Sequence, residues 1–161
     1  MVTETGQPMR NQKFLVSEQS EIETILQKAL VLRLAMCRDN QPYIVPVNFG
    51  YLDGKIYFHS GLEGMKMDFL AANGRVCFEV DIDVEMLPAD KPCAWSVRSE
   101  SVVGFGRAEV VHDEAERLAG LRLIVEHYAG PGEYDFPEEV LEQTAVVCIQ
   151  VEQMTGKRKG F

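Results

Sequence analysis

PYIVPVNFGYLDGKIYFHSGLEGMKMDFLAANGRVCFEV, residues Pro42 to Val80, carries the pattern that decides the fold. Pro42 to Leu52 and Lys55 to Ser60 are rich in β-branched and aromatic residues, and Asp53-Gly54 between them suits the positive φ angles of a type I′ hairpin turn. Upstream, Leu30 to Arg38 has the same character and meets Pro42 to Leu52 across Asp39-Asn40-Gln41, so three antiparallel strands are expected. Gly64 to Asn73 then reads as a short helix with Met65, Phe69 and Ala72 on one side. Arg75 to Asp81 returns to strand, alternating Val76, Phe78 and Val80 with polar residues. Pro46 sits inside a run that otherwise looks central. Proline cannot donate to a sheet ladder, so the strand must be open or irregular on one side there, either as a plain edge or as an edge that can bond a ligand.

Working outward, Phe14 to Ala29 reads as a helix, with Ser17 and Ser20 as N-caps, Glu23 completing an S-x-x-E box, and Ile22, Ile25, Leu26 and Ala29 on one face. Ile82 to Ala94 contains two prolines and several charges and is expected to be a long loop. Ser99 to His112 is a long strand interrupted by Gly104 and Gly106. Glycines there permit coiling and close backbone approach, as in the wall of a barrel. Asp113 should cap a helix with Glu116 at its third position, Leu118, Leu121, Val125 and Tyr128 forming the apolar face, and Gly130-Pro131-Gly132 ending it. A short helical piece follows from Glu138 to Gln143 and a last strand from Thr144 to Val151, with Ala145, Val147, Ile149 and Val151 on one face. The order predicts an α+β fold: a split β-barrel of six or so mainly antiparallel strands flanked by helices.

The 161 residues have the length and composition of a single domain, 1–161, with residues 1–12 expected to be flexible. Net charge is −9, which repels nucleic acid and anionic membranes at long range. With no apolar leader and no run of 18 apolar residues, a cytoplasmic protein is expected. Cys37, Cys77, Cys93 and Cys148 form no C-x-x-C or C-x-x-H pair and read as buried small hydrophobes; no metal site is expected. Asp81, Asp83 and Glu85 read as a solvated acidic loop, and Lys157-Arg158-Lys159 as a solvated basic tail. Nothing matches a hydrolase pattern, and His112 and His127 carry no role. His59 and Ser60, followed by Gly61, Gly64 and Lys66, could bring a hydroxyl, an ammonium and free backbone N–H groups to one helix start, a possible phosphate cradle short of full P-loop spacing.

PYIVPVNFGY, DGKIYFHS, GMKMDFL, NGRVCFEV, PCAW and SVVGFGRA, in this order and spacing, resemble the FMN-binding proteins related to pyridoxamine 5′-phosphate oxidase, in particular the nitroimidazole-resistance branch. The resemblance implies a homodimer with FMN at the subunit interface. Val45, Pro46, Val47 and Asn48 would run along the isoalloxazine, His59, Ser60 and Lys66 would hold the phosphate end, and Trp95 and Ser101 would approach from the partner chain. It further implies a flavin-dependent oxidoreductase that takes electrons from a reduced nicotinamide and passes them to a small organic acceptor, with His59 as the candidate proton donor. The alternatives are a flavin or tetrapyrrole carrier without turnover and a cofactor-free barrel. Two departures stand out: Arg98-Ser99-Glu100 where this branch has a tyrosine, which could change the substrate cavity, and Asn73-Gly74 where Asn-Pro is usual.

Overall fold

Residues 12–161 are described in a computed structural model; of the stretch expected to be flexible, only Gln12 lies among them. In chain order the elements are a 3-10 turn (Gln12–Phe14), β1 (Leu15–Val16), α1 (Gln19–Lys28), β2 (Leu32–Arg38), β3 (Gln41–Val47), β4 (Phe49–Leu52), β5 (Lys55–Gly61), α2 (Met65–Ala72), β6 (Arg75–Leu87), a second 3-10 turn (Pro92–Ala94), β7 (Ser96–Val110), α3 (Glu114–Ala129), α4 (Glu138–Glu142) and β8 (Thr144–Lys159).

Two two-residue turns set the first ladders. Asp39 and Asn40 have φ of 51° and 62°, Asp53 and Gly54 have 48° and 78°, and both joints therefore have the left-handed conformation that matches strand twist. The run expected as one strand from Pro42 to Leu52 is broken at Asn48. Its halves pair with different neighbours, β3 with β2 and β4 with β5. The sheet order β3-β2-β6-β7-β8-β5-β4 puts β3 and β4 at its opposite edges, with β1 on β8. Because a single residue joins those edges, the sheet must curl until they meet at Asn48, and no ladder closes the gap. That is a split β-barrel, with eight strands among the described residues.

The inner wall is made by alternate residues. Leu32, Leu34, Phe78, Val80, Val102, Val147 and Ile149 are wholly buried, and Ile22, Ile25, Leu26 and Ala29 of the α1 segment join the same core. Gly104 faces Phe78 across the ladder, and a β-carbon on it would lie 2.1 Å from the tip of that ring. The glycine therefore provides the space the ring occupies. Gly106 is also closely packed, since its β-carbon would meet the Gln150 carbonyl at 2.4 Å.

The sequence reading needs correcting in several places. The first helix starts at Gln19, because Leu15 and Val16 are taken up in pairing with Lys157 and Gly156. Neither serine caps it: Glu18 is at the cap without a side-chain bond, while Glu23 accepts from the Tyr51 hydroxyl at 2.9 Å. Ile82 to Leu87 is strand rather than loop. A bulge at Asp83 (φ 53°) lets Glu85–Leu87 resume pairing with Ser96–Arg98, and the ladder stops where Pro88 removes a donor. Asp81 and Glu85 are accordingly strand residues, paired with Arg33 and Arg98. β8 continues past Val151 to Lys159, absorbing Glu152 as an extra residue opposite Phe105 and Gly106. Arg158 is no solvated tail, since it bonds the buried Glu100 at 2.8 Å and Glu21 at 3.1 Å. From Ala145 to Ile149 β8 is buried on both faces.

The second face of β8 is covered by α3. Asp113 caps that helix as expected, accepting from the Glu116 amide at 2.8 Å. Its buried side, however, is Gly120, Leu121 and Ile124 rather than Val125 and Tyr128. These residues pack with Tyr57, Val111, Val146 and Cys148. Gly50 allows β4 to approach, its missing side chain leaving room 2.7 Å from the Leu123 backbone. Of the cysteines only Cys148 is buried; Cys77 is half-buried, and Cys37 and Cys93 are exposed. Cys37 and Cys77 fall on the outer face of β2 and β6, which no helix covers, and Cys93 lies in the 3-10 turn beyond the sheet. Among the described residues no helix is long and apolar enough to cross a membrane.

Candidate functional site

The start of α2 leaves backbone donors uncapped beside a lysine. Gly64 precedes it at φ 118°, and no side chain caps the helix, so its first amides remain donors without a protein acceptor. β-Carbons added at Gly61 or Gly64 would meet nothing nearer than 3.9 Å, which leaves the loop's surface open. Lys66 stands one residue into the helix with its ammonium 5.5 Å from the centre of the Phe58 ring. Partial burial lowers its pKa from the ordinary lysine value, and among the described residues it forms no ion pair. A partly desolvated cation without a carboxylate partner favours an anion beside it. Ser60 is two residues along β5 from Phe58 and shares its face, so hydroxyl, ammonium and free amides suit a phosphate, which accepts hydrogen bonds from donors of this kind.

His59 does not join this group. Strand alternation turns it to the face of Tyr57, away from Ser60 and Phe58, and it is exposed. It therefore lies nearer the α3 side of β5 than the α2 cradle.

The edge expected to contact a flavin ring is split between two surfaces. Val45 and Val47 face inward opposite Leu34 and Leu32. Pro46 faces outward opposite Arg33, whose guanidinium bonds Glu79 at 3.0 Å and Asp81; the charge of Asp81, then its bond to Glu79, raises the Arg33 pKa. Asn48 is the exposed residue at the break between β3 and β4. α2 connects this edge with the cradle, because Phe69 packs on Tyr43 of β3, ring centres 5.1 Å apart, one turn after Lys66. Arg38, whose guanidinium lies over the Phe69 ring at 4.7 Å, is a second cation without an ion pair among the described residues, and the sequence reading missed it. Its signal was present as the basic residue just before the Asp39-Asn40 turn, but nothing in the sequence says that the turn lies beside α2.

Ser101 is on the outer face, opposite Asp81 and Lys157. Trp95 stands at the end of the β6–β7 arm, half exposed, its indole N–H donating to the Ala89 carbonyl at 2.7 Å. Within one chain neither is brought to the α2 cradle by any contact. An open cleft of about 940 Å³ lies between α2 and the end of β7, lined by Glu63, Met67, Asp68, Glu109, Val110 and His112 among others. It borders the start of α2 at Gly64 but is not lined by Ser60, Lys66 or the Val45–Asn48 edge, and the carboxylates of Glu63, Asp68 and Glu109 give it an acidic lining.

The profile of the family described as Pyridoxamine 5'-phosphate oxidase matches residues 18–158. Among solved structures, a candidate 5-nitroimidazole antibiotic resistance protein from Bacteroides thetaiotaomicron is 30% identical, with a TM-score of 0.79 over 89% of this chain and 85% of that one. An FAD-binding protein from Mesorhizobium loti is 26% identical, with a TM-score of 0.65 over 89% and 96%. A flavocytochrome from Azotobacter vinelandii, 19% identical, shares the fold at a TM-score of 0.85 over 99% of this chain and 75% of its own. With the profile spanning the barrel from the start of α1 to the end of β8, the chain belongs to the pyridoxamine 5'-phosphate oxidase family.

Proposed function

We propose that the protein binds FMN between two copies of itself and acts as an FMN-dependent oxidoreductase on a small organic acceptor. The observation that carries this reading is the cationic cradle at the start of α2, an anion site in a chain of net charge −9. The FAD-binding relative supports a flavin as the class of ligand, and a single phosphate matches the one cradle found. Lys66 and Ser60 would hold that phosphate, with Val45 to Asn48 supplying the edge along which the ring lies. When bound, the flavin supplies hydride and electron transfer. The chain's own residues bind and orient it, and Lys66 offsets the phosphate charge.

A second copy is supported by what the monomer leaves uncovered. Ile44 and Val103 are 60% and 40% exposed on the outer face of β3, β2, β6 and β7, while Val84, Met86 and Trp95 are 60%, 55% and 52% exposed on the arm. These apolar side chains flank the Arg33, Glu79 and Asp81 ion pairs on a face that no helix covers, a mixed surface that suits a partner, and a copy seated there would bring its Trp95 and Ser101 towards the Pro46 edge.

A flavin carrier without turnover is a second reading, favoured by His59, which faces away from Ser60 and leaves the cradle without a positioned proton donor. One experiment separates the two. The yellow protein, its chromophore identified by mass as FMN, is mixed anaerobically with reduced nicotinamide. Bleaching that reverses on adding a nitroaromatic or quinone acceptor is the result expected of an oxidoreductase. A stable yellow spectrum with every donor would leave the carrier, and a colourless protein that takes up no added FMN would overturn both.

A further inference from the structure

At the Asn48 break the chain must leave one edge of the sheet and begin the other, so the Phe49 amide has no place in the β3 ladder. The Tyr128 hydroxyl accepts from that amide at 3.1 Å and donates its own hydrogen to the Leu30 carbonyl at 3.0 Å. One hydroxyl thus joins the end of α3, the segment entering β2 and the first residue of β4. His127 reinforces it: its Nε2 is 2.7 Å from the Ala29 carbonyl. A carbonyl only accepts, so Nε2 carries the proton. The His127 ring also packs on Phe49 and Tyr128, with centres 4.7 and 4.8 Å apart. Phe49 and Ala29 are wholly buried, so both anchor points are fixed in the core. The sequence reading gave His127 no role and put Tyr128 on an apolar helix face; the contacts give both a different task.

We propose that Tyr128, braced by His127, is a positioning residue for the flavin edge: it fixes the direction in which Val47 and Asn48 leave β3, and with it the line of backbone along which the ring lies. The inference rests on the proposed flavin site. A hydroxyl that holds a strand bend from outside the ligand's reach acts through geometry, and so its loss should change the ring's surroundings as well as affinity.

The test compares Tyr128→Phe with Tyr134→Phe, which removes a hydrogen bond of similar kind, to the Gly130 carbonyl at 2.6 Å, just past the same helix. Tyr128→Phe is expected to weaken FMN binding about five- to tenfold, the effect of one lost neutral hydrogen bond, and to shift the visible band of the bound flavin. Tyr134→Phe should leave both near wild type. In the apoprotein, the Phe49 amide should exchange with deuterium about tenfold faster in Tyr128→Phe alone, a readout that needs no ligand. Wild-type protein that binds FMN, with Tyr128→Phe matching Tyr134→Phe in affinity, spectrum and amide exchange, would overturn the positioning role and leave the flavin site standing. Wild-type protein that binds no flavin would remove both.

Discussion

Phe78→Ala is expected to destabilise the protein by about 3–5 kcal/mol, the range for deleting a wholly buried ring. Phe78 is 0% exposed and its ring lies over Gly104 on the neighbouring strand, where any β-carbon would stand 2.1–2.7 Å from ring atoms. Gly104→Ala alone should cost about 1–3 kcal/mol or more by overpacking. In the Phe78→Ala background the same methyl enters emptied space, so its cost should fall close to zero. Urea unfolding of the two single variants and the double variant, at one protein concentration so that any self-association is held constant, measures the coupling. Additive losses would show that the ring does not occupy the space above the glycine.

That pair shows what the sequence could and could not reveal. Gly104 and Gly106 were legible as places where a long strand coils, because glycine inside a strand has few other uses. Phe78 was legible as core from its alternation. Their pairing was not, since register is a long-range property fixed by the whole barrel. The same limit explains the break at Asn48. Pro46 signalled an irregular edge, but local pattern could not show that the next residues serve the opposite edge of the sheet. Proline and charge made Ile82 to Leu87 look like loop, whereas a single bulge at Asp83 carries the ladder on. The Asp113 cap and the Asp53-Gly54 type I′ turn could be read because their chemistry is local, whereas the turn read as Asp39-Asn40-Gln41 is the two residues Asp39-Asn40, with Gln41 already in the ladder.

Lys66→Ala is expected to weaken FMN binding about 10- to 100-fold, the loss of one charge-assisted contact of about 1.5–3 kcal/mol. Riboflavin, which lacks the phosphate, should bind the variant and the wild type alike. Lys66→Arg keeps the charge and should recover much of the affinity. The pH dependence supplies a second check. Burial lowers the Lys66 pKa, so between its folded value and the ordinary lysine value the folded apoprotein carries fewer protons than the unfolded chain, and this residue's contribution to apoprotein stability rises with pH across that window. Affinity for the anion runs the other way. It needs the protonated amine, and it should fall at a lower pH than an exposed lysine would allow. Lys66→Arg should abolish that fall. Fluorescence titrations with FMN and riboflavin across pH provide all of these values; equal losses for both ligands would remove Lys66 from the phosphate end.

The cradle itself was partly legible. Gly61, Gly64 and Lys66 before a helix predicted free amides and a cation, and that is what α2 presents. The expectation for His59 rested on its being next to Ser60 in sequence, and on a strand adjacent residues face opposite ways. Arg38, His127 and Tyr128 reach the site's surroundings from distant parts of the chain, so no local pattern marks them.

Native mass spectrometry of the protein after incubation with FMN is the most direct measurement. Two chains carrying two molecules of FMN is the expected species, reduced to empty or partly loaded dimers by Lys66→Ala. A wild-type species that stays monomeric, or a dimer to which no flavin adds, would contradict a flavin site shared between two copies of this barrel.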